Sequence, residues 1–520
     1  MGYSGCGAVV FLASLCEDGP VVRAKAEAVA PRRKTELILL GSGALCFVVL
    51  AGLHWRHICD DAFIYFRYAD HVVAGWGPVW NRGEPVEGYS SPLWLGLLVI
   101  GRALGAGLPG WAGALGVAFA ALALVFVHRL ALVLSASRLA AAWAVAASAL
   151  LYPLYFWMAA GLETAMFTAL MATATWALVA RRARWLAATA ALLGVARPEG
   201  PALVGALLVL FAFVHGRSAL RPGLLVLALA PVVSWLVFRR VYYGEWLPNT
   251  YYAKASGELM AKVTAGAIYA LPGLASMVAT AVAMGAGGIT DRPRLASAVF
   301  AGLPIAGVIF AGGDWMWHGR MLLPALPPLL AHAVAGVAAA SSRRRLVLVL
   351  ASGLGWFSFL PRFDIVRVML GYGGLPPVAF QEGTMIPAAQ EVARYIHERY
   401  AADALVAVNH AGALPRALPN PSLDMTGLCD HHIAHDVVGG LHHKYDADYV
   451  LRRRPRLIVL NSRVEPGTRG IWYHPGYWAG ETALVNHPAF TAHYHLVPRY
   501  WAWQWIGGNG GFILLYERIG

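Results

Sequence analysis

The sequence predicts a polytopic α-helical membrane protein with a small α/β domain at its carboxyl end. Hydrophobic residues make up 58% of the 520 residues, and charged residues only 13%. Apolar stretches of roughly 17–25 residues, long enough to cross a bilayer as helices, recur through the first two thirds of the chain. After about residue 362 they give way to alternating strand and helix patterns, which are typical of an α/β domain.

The positive charge follows the expected membrane topology. The formal net charge is +13, and the basic residues cluster between apolar segments at 181–184, 217–221, 292–294 and 343–345. Such clusters mark cytoplasmic turns, so we expect a lipid bilayer and no nucleic acid as partner. The five cysteines are scattered without a CxxC pair, which predicts neither a metal knuckle nor a disulfide framework.

The charge pattern also divides the chain. Residues 1–34 are expected to form a cytoplasmic segment, because a basic triplet at 32–34 precedes the first apolar run. Residues 35–361 are expected to form a transmembrane domain of about 11–12 helices, with a first outer loop at 56–91. Residues 362–520 are expected to form a soluble extracytoplasmic domain.

Further apolar segments predict the remaining membrane helices. They lie at about 92–106, 111–134, 139–160, 164–180, 185–215 (two helices), 222–241, 263–285, 295–312, 320–341 and 345–361. Two of them lie between the first outer loop and a basic, inner stretch at 129–138, where an odd number of crossings is needed. Either one of the two does not fully span, or that basic turn lies outside.

Short patterns predict the elements of the soluble domain. We expect helices at 388–400 and 445–453 and strands at 404–409, 456–460 and 512–516. The alternation favours a small α/β fold.

Two adjacent carboxylates, Asp60 and Asp61, follow the first membrane helix. They begin a helix predicted over 58–73, whose apolar spacing is amphipathic, so it should lie along the outer membrane surface. In a purely structural role, Asp60 would cap this helix and Asp61 would stabilise the positive end of its dipole. A single aspartate would suffice for that, so we favour a catalytic pair, in which one carboxylate takes a proton from a hydroxyl group. Neighbouring carboxylates in a dry interface raise one pKa toward the range of a base.

Other polar residues stand in the first outer loop or at outer helix ends. The candidates for substrate binding there are Arg67, Glu87, Tyr89, Glu163, Arg197, Glu199, Asn249, Tyr251, Lys254, Asp314, His318 and Arg320. Structural roles would also explain several of these residues. Glu163 could cap a helix, the charges at 197–199 could form an ion pair, and the tyrosines could belong to an aromatic belt. Arg320 has the geometry to hold a phosphate.

The soluble domain adds three candidates for donor or acceptor contact. His410 follows a predicted strand, and Asp424 and Asp430 lie in a stretch rich in histidine and aspartate at 422–435. The spacing in that stretch fits no standard zinc pattern. The sequence requires no cofactor, and nothing in it supports a divalent cation.

These motifs together resemble the GT-C class of polyprenyl-phosphate-sugar glycosyltransferases, and within it the actinobacterial terminal β-(1→2)-arabinofuranosyltransferases. The motifs run in order along most of the chain, at 60–64, 66–68, 81, 83–84, 86–89, 93–94, 161–164, 196–200, 244–254, 312–314, 319–320 and 424–434. The resemblance implies a GT-C-like fold, with Asp60 and Asp61 as the family's acidic pair that supplies the catalytic base. We favour Asp61 as that base, because Asp60 is the better placed to cap the helix.

The resemblance further implies a bacterial inner-membrane enzyme with its site and soluble domain on the extracytoplasmic side. It would move arabinofuranose or another pentose from a polyprenyl-phosphate donor to a glycan acceptor, and Arg320 or Lys254 would hold the donor phosphate. A lipid-linked hexose donor with a protein or lipid acceptor is the alternative within this class. A transporter or lipid flippase is the alternative from another class, and it would show inverted repeats with charges near mid-membrane.

Overall fold

The computed structural model describes a helical part, up to residue 342, and a mixed α/β part from residue 385. Its described residues are 30–55, 57–255, 258–314, 316, 318–342, 385–439, 443–462, 479–504 and 510–519. Most of the predicted segment 1–34 and the predicted membrane segment 345–361 lie outside them. The predicted boundary near residue 362 lies outside them as well, so the domain limits stay predictions.

Fourteen helices make up the described helical part. They are α1 (Ala30–His54), α2 (Asp60–Val73), α3 (Pro92–Ala103), α4 (Leu108–Ser135), α5 (Arg138–Ala149), α6 (Tyr152–Ala159), α7 (Thr164–Val179), α8 (Ala183–Leu193), α9 (Gly200–His215), α10 (Pro222–Tyr242), α11 (Asn249–Ala255), α12 (Leu259–Ala286), α13 (Arg292–Ala311) and α14 (Leu326–Ala339). Most coincide with the apolar segments read from the sequence, and the chain is a multi-pass helical membrane protein.

Fewer helices reach spanning length than the predicted 11–12. Among the described residues, five are long and apolar enough to cross a membrane: Arg33–His54, Leu108–Ser135, Pro222–Tyr242, Leu259–Ala286 and Arg292–Ala311. The α5–α6 pair makes a sixth if its 57° bend is counted within one span. The other apolar helices are shorter, because turns interrupt stretches that are continuous in hydropathy. The predicted segment 139–160, for example, breaks between Ala149 and Tyr152, because Pro153 in the first turn of α6 has no N–H to donate to Ala149 and cannot continue the preceding helix.

Helix α2 differs from the prediction in its surroundings. It begins at Asp60 as expected, but nine of its 14 residues are buried. The apolar face that we expected to lie along the membrane surface packs on the helical part, where a Cβ on Gly161 would lie 2.9 Å from Ala62 Cβ and Tyr65 donates to Glu163 at 3.4 Å. The mixed α/β part, called the soluble part below, contacts the polar side of α2, where Asp70 forms an ion pair of 3.1 Å with Arg416.

The soluble part is a five-stranded sheet with helices packed against it. In chain order it contains α15 (Met385–Arg399), β1 (Val406–Val408), α16 (Ala413–Ala417), β2 (Ser422–Asp424), α17 (His431–His435), α18 (Ala447–Arg452), β3 (Leu457–Ser462), α19 (Ala479–Val485), α20 (Pro488–His493), β4 (Tyr494–Gln504) and β5 (Gly510–Arg518). The strand order is β2-β1-β3-β5-β4. Strands β2, β1 and β3 are parallel to one another, and β5 is antiparallel to both of its neighbours, β3 and β4. The α/β prediction is confirmed, although β2, β4 and the helices α16, α17, α19 and α20 were not predicted.

A buried arginine joins the two parts. Arg67 on α2 is 4% exposed, and its guanidinium donates to the carbonyl oxygens of Pro415 and, at 3.1 Å, Asn420. Its Nε also donates to the carbonyl of Trp80 at 3.0 Å. Because carbonyls buried in this way need donors, Arg67 fixes the soluble part against α2.

We therefore expect Arg67→Met to weaken the join. Each buried carbonyl left without a donor costs about 1–3 kcal/mol, so the unfolding midpoint of the purified protein in detergent should fall by several degrees. Arg82→Met is the matched control, because Arg82 is exposed and stacks on Trp76. Equal midpoints for the two variants would contradict this role for Arg67.

Candidate active site

The two adjacent aspartates have different surroundings. Asp60 does not cap its own helix: Cys59 is the residue before α2, and its side chain makes no cap hydrogen bond. Asp60 Oδ1 instead accepts a hydrogen bond of 2.8 Å from the backbone N–H of Ala413, in the soluble part. The fit is close, since a Cβ on Gly412 would lie 2.2 Å from Asp60 Cγ.

Asp61 is the member of the pair that is left available for chemistry. Among the described residues, no hydrogen bond to its carboxylate is found, and its side chain is half-buried. Burial raises its pKa to about 6, while Lys254 and Arg320 lower it and Asp60 and Asp314 raise it. A carboxylate with this pKa is largely ionised at neutral pH and is matched to the task of a general base.

His410 faces the same region from the soluble part. It follows β1, as the sequence predicted, and burial lowers the pKa of its imidazole to about 4, although the charge of Asp61 acts in the opposite direction. The histidine is therefore neutral near pH 7. It brings a polar group to Asp61 without a competing positive charge.

Glu163 and two arginines form the charged centre beside Asp61. Arg197 Nη1 lies 2.6 Å from Glu163 Oε1, and Arg320 Nη2 lies 3.4 Å from the same oxygen. Tyr65 donates to the other carboxylate oxygen at 3.4 Å. Burial raises the pKa of Glu163, but the two arginines outweigh burial and hold the pKa below its usual value. Glu163 is thus a permanent anion that fixes both guanidinium groups.

Arg320 is held by two carboxylates. Its Nη1 lies 3.7 Å from Asp314 Oδ2, so Glu163 and Asp314 together hold the group in place. In the part of the chain that the structure describes, its buried Nε has no hydrogen-bond acceptor. Lys254 on α11 is exposed, and its positive charge lowers the pKa of Asp61.

A second buried ion pair fixes the loop between α2 and α3. Glu87 accepts two hydrogen bonds from Arg239, at 2.6 and 3.1 Å. Burial raises the pKa of Glu87 to about 7 even though Arg239 lowers it. The sequence predicted Glu87 but not Arg239, which is hidden at the end of a long apolar segment. An arginine inside the apolar limits of that segment was the one signal that pointed to it.

Several predicted residues form hydrogen bonds with other parts of the protein. Asn249 Nδ2 donates to the carbonyls of Gly427 and Leu428 at 2.9 and 3.0 Å. The Tyr89 hydroxyl lies 2.9 Å from the Tyr243 hydroxyl. These contacts position the loops that surround the site, and direct contact of Asn249 and Tyr89 with substrate stays a prediction.

The aspartates of the soluble part have similar positioning contacts. Asp424 accepts hydrogen bonds from the backbone N–H groups of Thr426 and Cys429, and Asp430 accepts from Ile433 N–H and the Tyr449 hydroxyl. These bonds shape the turns after β2.

The remaining predicted residues are Glu199, Tyr251 and His318. Glu199 forms an ion pair of 2.6 Å with Arg197. Tyr251 is 46% exposed, and His318 packs its ring against Phe156 with 4.6 Å between the centroids. A substrate role for these residues stays a prediction.

The fold and part of the sequence match known proteins. The chain is 32% identical over 338 residues to the terminal β-(1→2)-arabinofuranosyltransferase of Mycobacterium tuberculosis (strain ATCC 25618 / H37Rv), and the match covers 53% of this chain and 52% of that protein. The chain thus spans about half the length of this curated relative. Residues 379–514 match a family described as "Domain of unknown function (DUF8728)".

Solved structures show the same architecture. ArnT from Cupriavidus metallidurans, bound to undecaprenyl phosphate, aligns with a TM-score of 0.54 at 15% identity, over 92% of this chain and 97% of ArnT. The apo form of ArnT gives the same TM-score at 16% identity and the same coverage. The GT-C-like fold implied by the sequence is thereby confirmed.

The shared carboxylate leads to a prediction on stability. Glu163→Gln leaves two buried guanidinium groups beside a neutral partner, and breaking such a pair costs about 3–5 kcal/mol. Glu199→Gln is the matched control, because Glu199 binds the same Arg197 with a side chain that is 33% exposed, where a pair is worth about 1 kcal/mol or less. The unfolding midpoint should fall much further for Glu163→Gln, and equal shifts would contradict the central role of Glu163.

Proposed function

We propose that this protein is a membrane glycosyltransferase that moves a sugar from a polyprenyl-phosphate donor to the hydroxyl group of an acceptor glycan. The observation that carries the proposal is the position of Asp61. Its carboxylate accepts no hydrogen bond from the described residues, yet it is under the influence of Lys254 and Arg320. In such a transfer reaction, a base removes the proton of the acceptor hydroxyl, and cations stabilise the phosphate that leaves the donor.

In this proposal, Asp61 accepts the proton of the acceptor hydroxyl as its oxygen attacks the anomeric carbon of the donor sugar. The bond from that carbon to the phosphate oxygen breaks, and its electron pair leaves with the polyprenyl phosphate. Asp60 supports the reaction indirectly, because its bond to Ala413 N–H fixes the start of α2. A raised pKa on Asp61 favours proton uptake.

Arg320 and Lys254 are the proposed partners of the donor phosphate. Negative charge builds up on that group as it departs, and fixed positive charges stabilise it. Arg320 suits this task because Glu163 and Asp314 hold its guanidinium in place and its positive charge acts on Asp61. Lys254 adds an ammonium group from an exposed position, where a mobile ligand can reach it.

The comparisons support a lipid-linked donor. ArnT, which shares the fold, was solved with undecaprenyl phosphate bound, and the curated relative is an arabinofuranosyltransferase. We therefore propose arabinofuranose as the sugar and the extracytoplasmic face of a bacterial plasma membrane as the place of reaction. A lipid-phosphate donor cannot leave the bilayer, and this agrees with a site formed between membrane helices and a soluble domain.

The direct test is a transfer assay on the purified protein with a panel of polyprenyl-phosphate sugars that includes a pentofuranose and a hexose. We expect product with the arabinofuranosyl donor, and Asp61→Asn should lower the rate by about 100-fold or more, because it removes the general base. Asp61→Asn should still insert and melt like the wild type, since the described residues donate no hydrogen bond to this side chain. Full activity of Asp61→Asn would overturn the assignment of the base.

The same assay distinguishes the other hypotheses. Product from a hexose donor alone would replace arabinofuranose. Movement of the lipid across a vesicle membrane without a glycosidic product would instead favour a flippase.

The pKa of Asp61 predicts the pH dependence. The base must be ionised, and its pKa is raised to about 6, so kcat/KM should be constant above about pH 7 and fall tenfold per unit well below about pH 6. A pH–rate profile from about pH 4.5 to 8 measures this limb. An acid limb centred near pH 4, the value of an ordinary aspartate, would contradict the proposed environment of Asp61.

A further inference from the structure

A second cluster of chemically active side chains lies outside the proposed catalytic centre. Glu245 stands in the turn between α10 and α11, and His431 and His435 stand on α17 of the soluble part. One ligand atom from each residue lies within 4.8 Å of those of the other two. None of the three has a part in the proposed transfer reaction.

The two histidines are oriented as a pair. They are four residues apart on one helix, so they lie on the same face. Their rings are stacked in parallel, with 4.0 Å between centroids and an interplanar angle of 6°, so one ring must turn before the in-plane nitrogens of both point at one ion. His431 Nε2 lies 3.6 Å from Glu245 Oε1. His435 Nε2 is shielded from solvent and has no hydrogen-bond partner in the described part of the chain.

The neighbouring His432 differs from these two histidines in its hydrogen-bond partners. Its two ring nitrogens lie 2.8 Å from Asp436 and 2.9 Å from Asp446. Both nitrogens are thus engaged with carboxylates on the other side of α17. This contrast separates the two histidines that face Glu245 from the one that does not.

The surroundings of the cluster are fixed by further contacts. The Tyr252 ring packs on His435 with 4.1 Å between centroids. The buried Lys444 donates to the carbonyl of Ala434 and, at 3.0 Å, to that of Tyr252. This lysine binds α17, which carries the two histidines, and α11, which follows the turn with Glu245, so the elements beside the ligand atoms are supported, as metal sites require.

We propose that Glu245, His431 and His435 bind one divalent transition metal ion of the zinc type. Two imidazole nitrogens and one carboxylate oxygen form a usual three-residue set for zinc, and a water molecule completes the tetrahedron. Ligand atoms about 2.1 Å from one zinc ion lie about 3.4 Å from each other. The 3.6 Å between His431 and Glu245 is already close to this value, and the widest separation, at most 4.8 Å, requires a shift of about 1.4 Å or less, together with a rotation of one of the two stacked rings.

Such an ion would join the membrane part to the soluble part. Glu245 lies in the turn that leads into α11, which begins at Asn249 and carries Lys254 in its last turn. The ion would therefore fix the start of the short helix that brings a positive charge to Asp61. Metal binding itself does not depend on the proposed transfer reaction, so the two can fail separately.

The test uses the full chain, purified without a polyhistidine tag and stripped of metal with a chelator. Zinc is titrated against a chromogenic chelator, and bound zinc is measured by elemental analysis after dialysis. We expect one zinc ion per chain in the wild type. Since even groups outside the first shell are worth about 10–100-fold in affinity, Glu245→Gln and His435→Ala should weaken binding at least about tenfold, while His432→Gln should bind like the wild type.

Thermal unfolding gives a second readout. Zinc should raise the midpoint of the wild type and of His432→Gln, because a ligand that binds the folded state stabilises it. It should not raise that of Glu245→Gln or His435→Ala at the same concentration. Agreement of all midpoints without zinc shows that the variants are folded. Less than one stoichiometric zinc ion in the wild type, or equal affinity in all four proteins, would overturn the proposal.

Discussion

The buried carboxylate of Glu163 is the charge on which the rest of the site depends. It is fully shielded from solvent and bound by Arg197 and Arg320. Because a buried charge is tolerated only with partners, three segments that are far apart in sequence must meet at this point. Tyr65 adds α2 to the same carboxylate. The helix that carries the aspartates is therefore held in register with the arginine that faces them.

This register gives two adjacent, identical residues different roles. Successive side chains on a helix are about 100° apart, so Asp60 and Asp61 cannot face the same partner. Asp60 binds the backbone of the soluble part at Ala413, and Asp61 faces the cations. The soluble part is thus more than a cover for the membrane helices. It binds Asp60, contributes His410, and accepts hydrogen bonds from the Arg67 guanidinium with its backbone carbonyls.

Much of the fold was predictable because the membrane imposes it. Apolar length marks a membrane helix, and the predicted segments coincide with most of the observed helices. Strand β4 was missed for a local reason: Pro498 argues against a strand, but β4 is an edge strand with a register shift between Leu496 and Tyr500, where proline is tolerated. Arg239 was missed because its partner Glu87 lies 152 residues away in the sequence.

The sequence by itself determined the class of protein, the α/β character of its carboxyl end, and the polar residues that an apolar chain would not carry without a reason. Only the tertiary structure decided which of these polar residues are bound by protein partners. Asp60 and Ala413 are 353 residues apart, and no local pattern encodes such a pair. Composition and spacing report the cost of burying each polar group, whereas its partner is set by packing between distant segments.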